Sequence, residues 1–157
     1  MSPTRRIGAL ALAVMVAVGL TACGPRAEDQ QRTLESAIVE TAPHTTAAAV
    51  FVSSAIGGDQ IVVNLYVDSD DTADAAEAVE AALETVWTTT ASEPVGVSIA
   101  VAAVPKPDEP QRLELNAIDP LPVAETLEIQ GSKVVRQLLM LDSATLSNHF
   151  GAWQEPR

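Results

Sequence analysis

The chain has 157 residues, of which 21 are acidic and nine basic, so its formal net charge is −12, and only five residues are aromatic. An acidic surface of this kind repels nucleic acid and anionic lipid headgroups, which excludes nucleic acid as a partner. The few aromatic residues also disfavour a site that stacks sugars or other flat ligands.

The N-terminal segment has the composition of a targeting signal. Two basic residues, Arg5 and Arg6, precede an apolar run at 7–20 that contains no acidic residue. As a helix this run rises about 21 Å, which is shorter than the roughly 30 Å hydrocarbon core of a bilayer. A basic start, a short apolar run and a small-residue cleavage site are typical of a signal peptide. We therefore predict that residues 1–22 are a signal peptide rather than a permanent membrane span.

A four-residue motif ends this segment: Leu20, Thr21, Ala22 and Cys23. The motif resembles the lipobox of bacterial lipoproteins. The resemblance implies that the Cys23 thiol takes a diacylglyceryl group, that the signal is cut off before it, and that Cys23 becomes the first residue of the mature protein. Two acyl chains anchor far more firmly than one, because each buried methylene contributes about 0.8 kcal/mol. The resemblance thus implies a lipid-anchored protein on the extracytoplasmic face of the bacterial cell membrane.

Cys23 is the only cysteine of the chain. The alternative is an ordinary secreted protein whose cysteine falls near the cleavage site by chance. A single cysteine has no partner for an internal disulfide and cannot form a cysteine-based zinc site within one chain.

Loss of Arg5 and Arg6 with the signal changes the formal net charge from −12 to −14. Membrane attachment would then depend on the acyl chains rather than on charge.

The rest of the chain is long enough for one domain with a core of moderate size. We predict that residues 23–27 are the lipidated cysteine and a short tether, at most roughly 14 Å long when the four residues after the cysteine are extended. Residues 28–157 are then a single domain. A first helix over 28–41, ended by Pro43, is indicated because four residues share one face at helical spacing: Leu34, Ala37, Ile38 and Thr41.

The most distinct β-hairpin pattern covers residues 45–67. Residues 45–54 are rich in threonine, valine and alanine, and residues 56–59 contain two glycines and an aspartate, which predicts a turn. In residues 60–67 the apolar positions alternate, which predicts a strand with one buried face: Ile61, Val63, Leu65 and Val67.

The acidic run at 68–74 has some of the spacing of an EF-hand calcium loop. The place of the turn glycine holds Ala73 and the place of the bidentate glutamate holds Val79, so the EF-hand pattern fails. Helix capping explains the run better. Three residues are candidate N-caps: Asp70, Asp71 and Thr72. We predict a helix over 72–87, no metal site, and a buried helix face that contains four large apolar residues: Val79, Leu83, Val86 and Trp87.

A third strand follows Pro94 and stops before Pro105. Its apolar residues again alternate with small ones: Val95, Val97, Ile99 and Val101. Residues 105–110 contain three prolines and charged residues, which predicts an extended connection across the surface. Beyond it, Leu113 and Leu115 are compatible with a short strand.

The last part of the chain has weaker patterns. Residues 119–122 read as a turn and residues 123–127 as a short helix. Residues 134–141 are apolar at nearly every position, so periodicity does not decide between strand and helix. We favour a strand, because Asp142 and Ser143 are good cap residues for a separate helix over 143–149 that ends at Gly151.

The order of these elements is helix, strand, strand, helix, strand, and then strand and short helix. This order indicates an α+β fold, a small sandwich with helices packed on one face of a mainly antiparallel sheet.

Sequence motifs for catalysis are missing. The chain has no Gly-x-Ser-x-Gly elbow, no phosphate-binding glycine loop and no His-Glu-x-x-His run. Its two histidines, His44 and His149, are 105 residues apart, and nothing in the pattern places them together. We therefore predict no enzyme activity, no catalytic residues and no cofactor.

Two functional hypotheses follow from these patterns. The first is a non-enzymatic cell-envelope lipoprotein whose domain is held close to the membrane and binds a protein partner. The second is a small carrier that holds a lipid or another apolar ligand between its sheet and its helices. An enzyme is a third alternative. The many alanine and valine side chains permit a cavity without requiring one, because such residues also pack well.

Overall fold

A computed structural model describes residues 24–114 and 116–156. In this part of the chain the elements are α1 (Gly24–Thr41), β1 (Thr45–Ala55), β2 (Gly58–Val67), α2 (Thr72–Thr89), β3 (Gly96–Ala102), α3 (Pro120–Leu127), β4 (Lys133–Val135), β5 (Leu138–Asp142) and α4 (Ser143–Phe150). These helices and strands confirm the predicted α+β class. No helix within the described residues is both long and apolar enough to span a bilayer.

The five strands form one sheet in the order β1-β2-β3-β5-β4. The β2–β3 pair is parallel, while the β1–β2, β3–β5 and β4–β5 pairs are antiparallel. Parallel neighbours require a crossover connection because the chain must return to the same end of the sheet, and α2 provides it. The sheet is therefore mainly antiparallel, as predicted.

All four helices contribute to one core against a single face of the sheet. Leu34 of α1, Leu83 of α2, Val123 of α3 and Leu146 of α4 lie in one buried cluster with strand residues such as Ile99. Alternation along β1, β2, β3 and β5 directs every second side chain into this cluster. The predicted packing of helices on one face is confirmed.

The β1–β2 hairpin has the predicted position. Val50 pairs with Val63, and the chain reverses at residues 56–57. Gly58 has a φ of 144°, and a Cβ atom there would lie 2.9 Å from the carbonyl oxygen of Glu93. The start of β2 therefore requires glycine for both its backbone conformation and its close contact.

The acidic run before α2 caps the helix, as predicted. Asp71 is the N-cap, and its Oδ1 accepts a hydrogen bond from the N–H of Ala73 at 2.7 Å. The predicted apolar face of α2 is buried, whereas Glu77 and Glu84 are exposed. The carboxylate at the N-cap satisfies a backbone donor that would otherwise have no partner within the helix.

The first helix begins earlier than predicted. α1 starts at Gly24 instead of residue 28, so residues 24–27 form its first turn, and the predicted extended conformation of these residues is wrong. Pro25 permits this start because the first helical turn does not need its missing N–H group. Four helical residues rise about 6 Å, less than half the length of an extended segment.

The prediction of a turn at residues 119–122 is also wrong. Asp119 is the N-cap of α3, and its Oδ1 accepts a hydrogen bond from the N–H of Leu121 at 3.0 Å. Pro120 is the first helical residue, a position that suits proline because its φ is already helical. The predicted short helix therefore exists but begins three residues earlier than residue 123.

Residues 134–141 belong to a hairpin rather than to one strand. β4 and β5 pair in antiparallel fashion around Arg136 and Gln137. Arg136 has a φ of 57°, in the left-handed region that two-residue hairpin turns favour. Asparagine or glycine is the usual sequence signal for such a turn. Because arginine occupies the position here, the sequence did not predict the turn.

The last helix agrees with the prediction, because α4 begins at Ser143 and is followed by Gly151 as its C-cap. Asp142 is the N-cap, and its Oδ1 accepts a hydrogen bond from the N–H of Thr145 at 2.8 Å. This hydrogen bond lowers the pKa of Asp142 below its ordinary value of 3.8.

We expect Asp142→Ala to destabilise the domain by about 0.5–2 kcal/mol near neutral pH through loss of this cap. Because the folded-state pKa lies below the unfolded one, the contribution is present above the unfolded pKa and is lost as the pH falls through the folded pKa. Urea unfolding at about pH 7 and about pH 2 checks this, with Asp142→Asn as a control that keeps an uncharged acceptor. An equal cost of Asp142→Ala at both pH values would contradict the assignment.

Candidate binding groove on the open face of the sheet

The open face is the side of the sheet away from the helices, and the strap is the segment of residues 103–118 that crosses it. Nζ of Lys106 donates a hydrogen bond to the carbonyl oxygen of Ala48 at 2.7 Å. The carbonyl oxygen of Gln111 accepts one from Nδ2 of Asn64 at 2.7 Å. These contacts attach the strap to β1 and β2, so the proline-rich connection covers part of the sheet.

The strap contains no helix or strand in its described residues. Its prolines at 105–110 lack N–H donors, and the predicted short strand is wrong at Leu113, where the chain bends, while Leu115 lies outside the described residues. One backbone hydrogen bond joins the strap to β3, from the N–H of Ile118 to the carbonyl oxygen of Val101 at 2.8 Å. Side-chain hydrogen bonds therefore fix much of its position.

Tyr66 and Glu114 form a buried polar pair beneath the strap. Tyr66 is fully buried and Glu114 is 5% exposed. The tyrosine hydroxyl donates to Oε2 of Glu114 at 2.8 Å, and Oε1 accepts a hydrogen bond from the N–H of Asn116 at 3.0 Å. Burial, and then the hydrogen bond with Glu114, raises the pKa of Tyr66 to about 12. The phenol therefore stays protonated and remains a donor to the carboxylate.

Two side chains cover the outer edge of β1. Oε1 of Glu35 on α1 accepts a hydrogen bond from the N–H of Val50 at 2.9 Å, beside the contact between Lys106 and Ala48. Nζ of Lys106 also lies 3.6 Å from Oε2 of Glu35. Edge strands present backbone groups with which another chain can pair. At these two groups the positions of Glu35 and Lys106 block such pairing.

A groove of about 410 Å³ lies beside the strap on the open face. Its apolar side chains come from β2, the strap, β4 and β5: Val62, Leu113, Val135 and Leu138. Two arginines complete the lining, Arg112 from the strap and Arg136 from the turn between β4 and β5. The volume falls within the range of about 300–1,000 Å³ found for ligand-binding clefts.

The strand register explains why these residues share one surface. Val62 points away from the core because its neighbours along β2 point into it. Val135 and Leu138 are direct cross-strand partners, so their side chains lie on the same face. The guanidinium of Arg112 donates a hydrogen bond to Oγ of Ser53 on β1. The groove is therefore formed by elements from distant parts of the chain.

Three basic residues near the groove form no close ion pair within the described part of the chain. Arg32 and Lys106 have a carboxylate oxygen within 4.0 Å, whereas within the described ranges Arg112, Lys133 and Arg136 have none. Lys133 precedes Val135 by two residues on β4 and so lies on the same face. The groove of this acidic protein thus has three cationic side chains in or beside it that form no close ion pair with a described residue.

The predicted lipidation motif falls outside the residues that the structure describes: Leu20, Thr21, Ala22 and Cys23. Lipidation and cleavage therefore stay predictions. The described chain begins with the first residue after the motif, as the start of α1.

The two histidines contact different carboxylates. Nε2 of His44, in the turn between α1 and β1, lies 3.6 Å from Oδ1 of Asp74, and Nδ1 lies 3.8 Å from Oδ1 of Asp68. Nε2 of His149 lies 2.7 Å from Oε1 of Glu80. Among residues 24–114 and 116–156, no group of three or more His, Cys, Asp or Glu side chains is arranged to hold a metal ion.

Sequence reasoning missed the groove because its lining residues extend from position 62 to position 138. One signal was available: four of the seven basic residues after the signal lie between positions 106 and 136. Clustered basic residues in an acidic chain indicate a local site for negatively charged groups.

No protein-family model matches the chain, and neither a curated protein nor a solved structure is significantly similar to it.

Proposed function

We propose that this protein is a non-enzymatic cell-envelope lipoprotein that binds a protein partner through its open-face groove. Its anchor is Cys23, on the extracytoplasmic face of the bacterial cell membrane. The observation that carries the proposal is the groove, whose lining combines four apolar side chains with Arg112 and Arg136. Arginine is enriched among the residues that contribute most to protein–protein binding, and the buried core of an interface is more apolar than the rest of the surface.

An apolar-ligand carrier, the alternative, needs an enclosed site, because small ligands bury about 70–90% of their surface. The groove is open, and Val135 is 46% exposed. A cavity between the sheet and the helices, lined by Ile99, Val123 and other apolar residues, has a volume of about 10 Å³. That is room for about one water molecule, so an acyl chain would require the helices to move. These features favour the protein partner.

The start of α1 supports a function close to the membrane. α1 begins directly after Cys23 and has 18 residues, so it is about 27 Å long. A lipid on Cys23 would thus hold the groove within a few tens of ångströms of the bilayer. Partners presented at the membrane surface would gain a high effective concentration from this proximity.

A site-specific cross-link tests the proposal in the cells that make the protein. A photoreactive amino acid replaces Val135 in the full chain, and the matched control carries it at Val39 on α1, which is 40% exposed against 46% for Val135. We expect irradiation to give one discrete protein adduct from position 135 and none from position 39.

Three outcomes would contradict the proposed function. They are no adduct from position 135, the same adduct from both positions, and an adduct with lipid instead of protein. The last result would favour the carrier hypothesis.

A further inference from the structure

The two arginines of the groove are free to bind carboxylates. A guanidinium has five N–H donors, and Arg112 uses one nitrogen for Ser53, which orients the side chain and leaves other donors available. Arg136 sits at the left-handed position of a two-residue turn, where its backbone is fixed. Neither has a carboxylate within 4.0 Å among the described residues. Arginine pairs with carboxylates in a bidentate manner, which gives geometric specificity as well as energy.

The apolar part of the groove adds a second requirement for the partner, besides negative charge. Val135 and Leu138 are paired across β4 and β5 and, with Leu113, remain partly open to solvent, while Val62 is buried at the base of the groove. Water leaves such a surface favourably when an apolar side chain covers it. A complementary partner therefore carries an apolar group between negative ones.

A second copy of this protein does not have that chemistry. In a two-fold dimer the same surface meets itself, so Arg136 and Lys133 of one protomer would approach the cations of the other. Like charges brought together without partners are destabilising. The cations in and beside the groove therefore favour an acidic partner over self-association.

The bilayer is also a poor fit to the groove. α1 runs antiparallel to β1, because Thr41 precedes Thr45 at one end and Glu35 lies opposite Val50 further along. Gly24 therefore lies toward the β1–β2 turn, at one end of the sheet. A membrane at that end would face the strand termini, whereas the groove opens on the face of the sheet.

We infer that the groove binds an extended peptide segment of a partner protein, in which an apolar side chain and the two carboxylate side chains that flank it project from the same face of the segment. Arg112 and Arg136 bind the carboxylates, and Val62, Val135 and Leu138 contact the apolar side chain. This inference rests on the proposed function and specifies the chemistry of its partner.

Peptide binding to the lipidated protein in phosphatidylcholine nanodiscs tests it. The probes are three fluorescent octapeptides in which glutamate, glutamine or lysine lies two residues before and two residues after a valine, with serine at the positions between, so that these side chains share one face of an extended segment. Fluorescence anisotropy should give the tightest binding for the glutamate peptide, about tenfold or more weaker binding for the glutamine peptide, and the weakest for the lysine peptide. The affinity for the glutamate peptide should fall as the salt concentration rises.

Substitutions assign the effect to the two arginines. Arg112→Gln and Arg136→Gln should each weaken the glutamate peptide about tenfold. The corresponding lysine variants keep the charge without the planar fork, so they should lie between these and the unmodified protein. Arg32→Gln is the matched control, because Arg32 is exposed on α1 and pairs with Asp29, and it should not change the affinity.

The inference is overturned if the glutamate peptide does not bind, if the glutamine peptide binds as tightly, or if the glutamine variants keep full affinity. The cross-link at position 135 separates this failure from that of the proposed function. If the adduct forms equally in the Arg112→Gln/Arg136→Gln protein, the proposal of a protein partner stands and the inference that this partner is acidic fails.

Discussion

Replacing Tyr66 with phenylalanine lowers the free energy of unfolding by about 2–3 kcal/mol, because it leaves Oε2 of Glu114 buried without its donor. The N–H of Asn116 still bonds to Oε1, so one oxygen of the carboxylate remains satisfied. The ring itself stays in place, so the change isolates the hydroxyl from the packing. Urea unfolding near neutral pH measures the difference.

A matched control uses Thr46, whose hydroxyl donates to the carbonyl oxygen of Tyr66 at 2.9 Å from an exposed position. Thr46→Val removes one hydrogen bond that water can replace, so it should cost less than about 1 kcal/mol. A further Glu114→Leu substitution in the Tyr66→Phe protein removes the underbonded carboxylate and should recover part of the loss. Equal costs for Tyr66→Phe and Thr46→Val would show that the buried pair contributes no more than an exposed contact.

The Tyr66 hydroxyl also makes the free energy of unfolding depend on pH in the alkaline range. The folded-state pKa of Tyr66 is about 12, against an ordinary value of 10.0. Its contribution is therefore present below about pH 10 and is lost as the pH rises through 12, since the unfolded chain releases the proton first. We expect a loss of about 2–3 kcal/mol across this interval. Tyr66→Phe should lack this part of the pH dependence, and identical alkaline profiles would contradict the assignment.

Replacing Cys23 with serine behind a signal peptide that is cleaved without lipidation should move nearly all of the protein from the membrane fraction to the soluble extracytoplasmic fraction. The reason is the loss of the acyl chains, which are the predicted source of attachment in a domain with a net charge of −14. Circular dichroism should be unchanged, because Cys23 precedes α1 and the core begins with Leu34. Fractionation, immunoblotting and mass spectrometry of the N-terminal peptide make the measurement.

The control keeps the native signal and carries Thr21→Ser, which preserves a small residue in the lipobox. It should remain in the membrane fraction with a diacylated cysteine at its N-terminus. An unmodified thiol in the native protein, or membrane retention of the serine variant, would contradict lipid anchoring through Cys23.

Local patterns predicted the elements whose signals are contained in a few neighbouring residues. The alternation from Ile61 to Val67 identified β2, and the capping carboxylates Asp71 and Asp142 marked the starts of α2 and α4. These signals work because a strand period or a helix cap requires no contact with distant residues. The α+β class followed from the order of such elements.

The errors occur where the local composition is compatible with two structures. Arg136 adopts the left-handed conformation that the turn between β4 and β5 needs, but arginine is not a turn residue by composition. Pro120 begins α3, although two prolines in four residues suggest a turn. In both cases the sequence allows two local structures, and packing of the hairpin and of α3 against the core selects one.

The groove could not be predicted by the same means. It exists because the strap returns across the sheet, and the strap is fixed by contacts such as Tyr66 with Glu114, 48 residues apart in the sequence. The strap has no periodicity, so nothing local places Arg112 opposite β2. The clustering of four basic residues between positions 106 and 136 is a sequence feature that points to this part of the chain, but it was not used in the prediction.

The early start of α1 has a consequence for rotation. A helix turns by about 100° for each residue. A lipid attached at Cys23, next to Gly24, would therefore fix the rotation of the domain about the α1 axis relative to the anchor. A flexible linker would let the domain rotate freely about the anchor, whereas a helical connection would fix the orientation of the sheet relative to the anchor. One residue inserted after Cys23 would then swing the groove about a quarter of a revolution around the anchor. The number of residues between Cys23 and α1 would therefore determine the direction from which a membrane-bound partner can reach the groove.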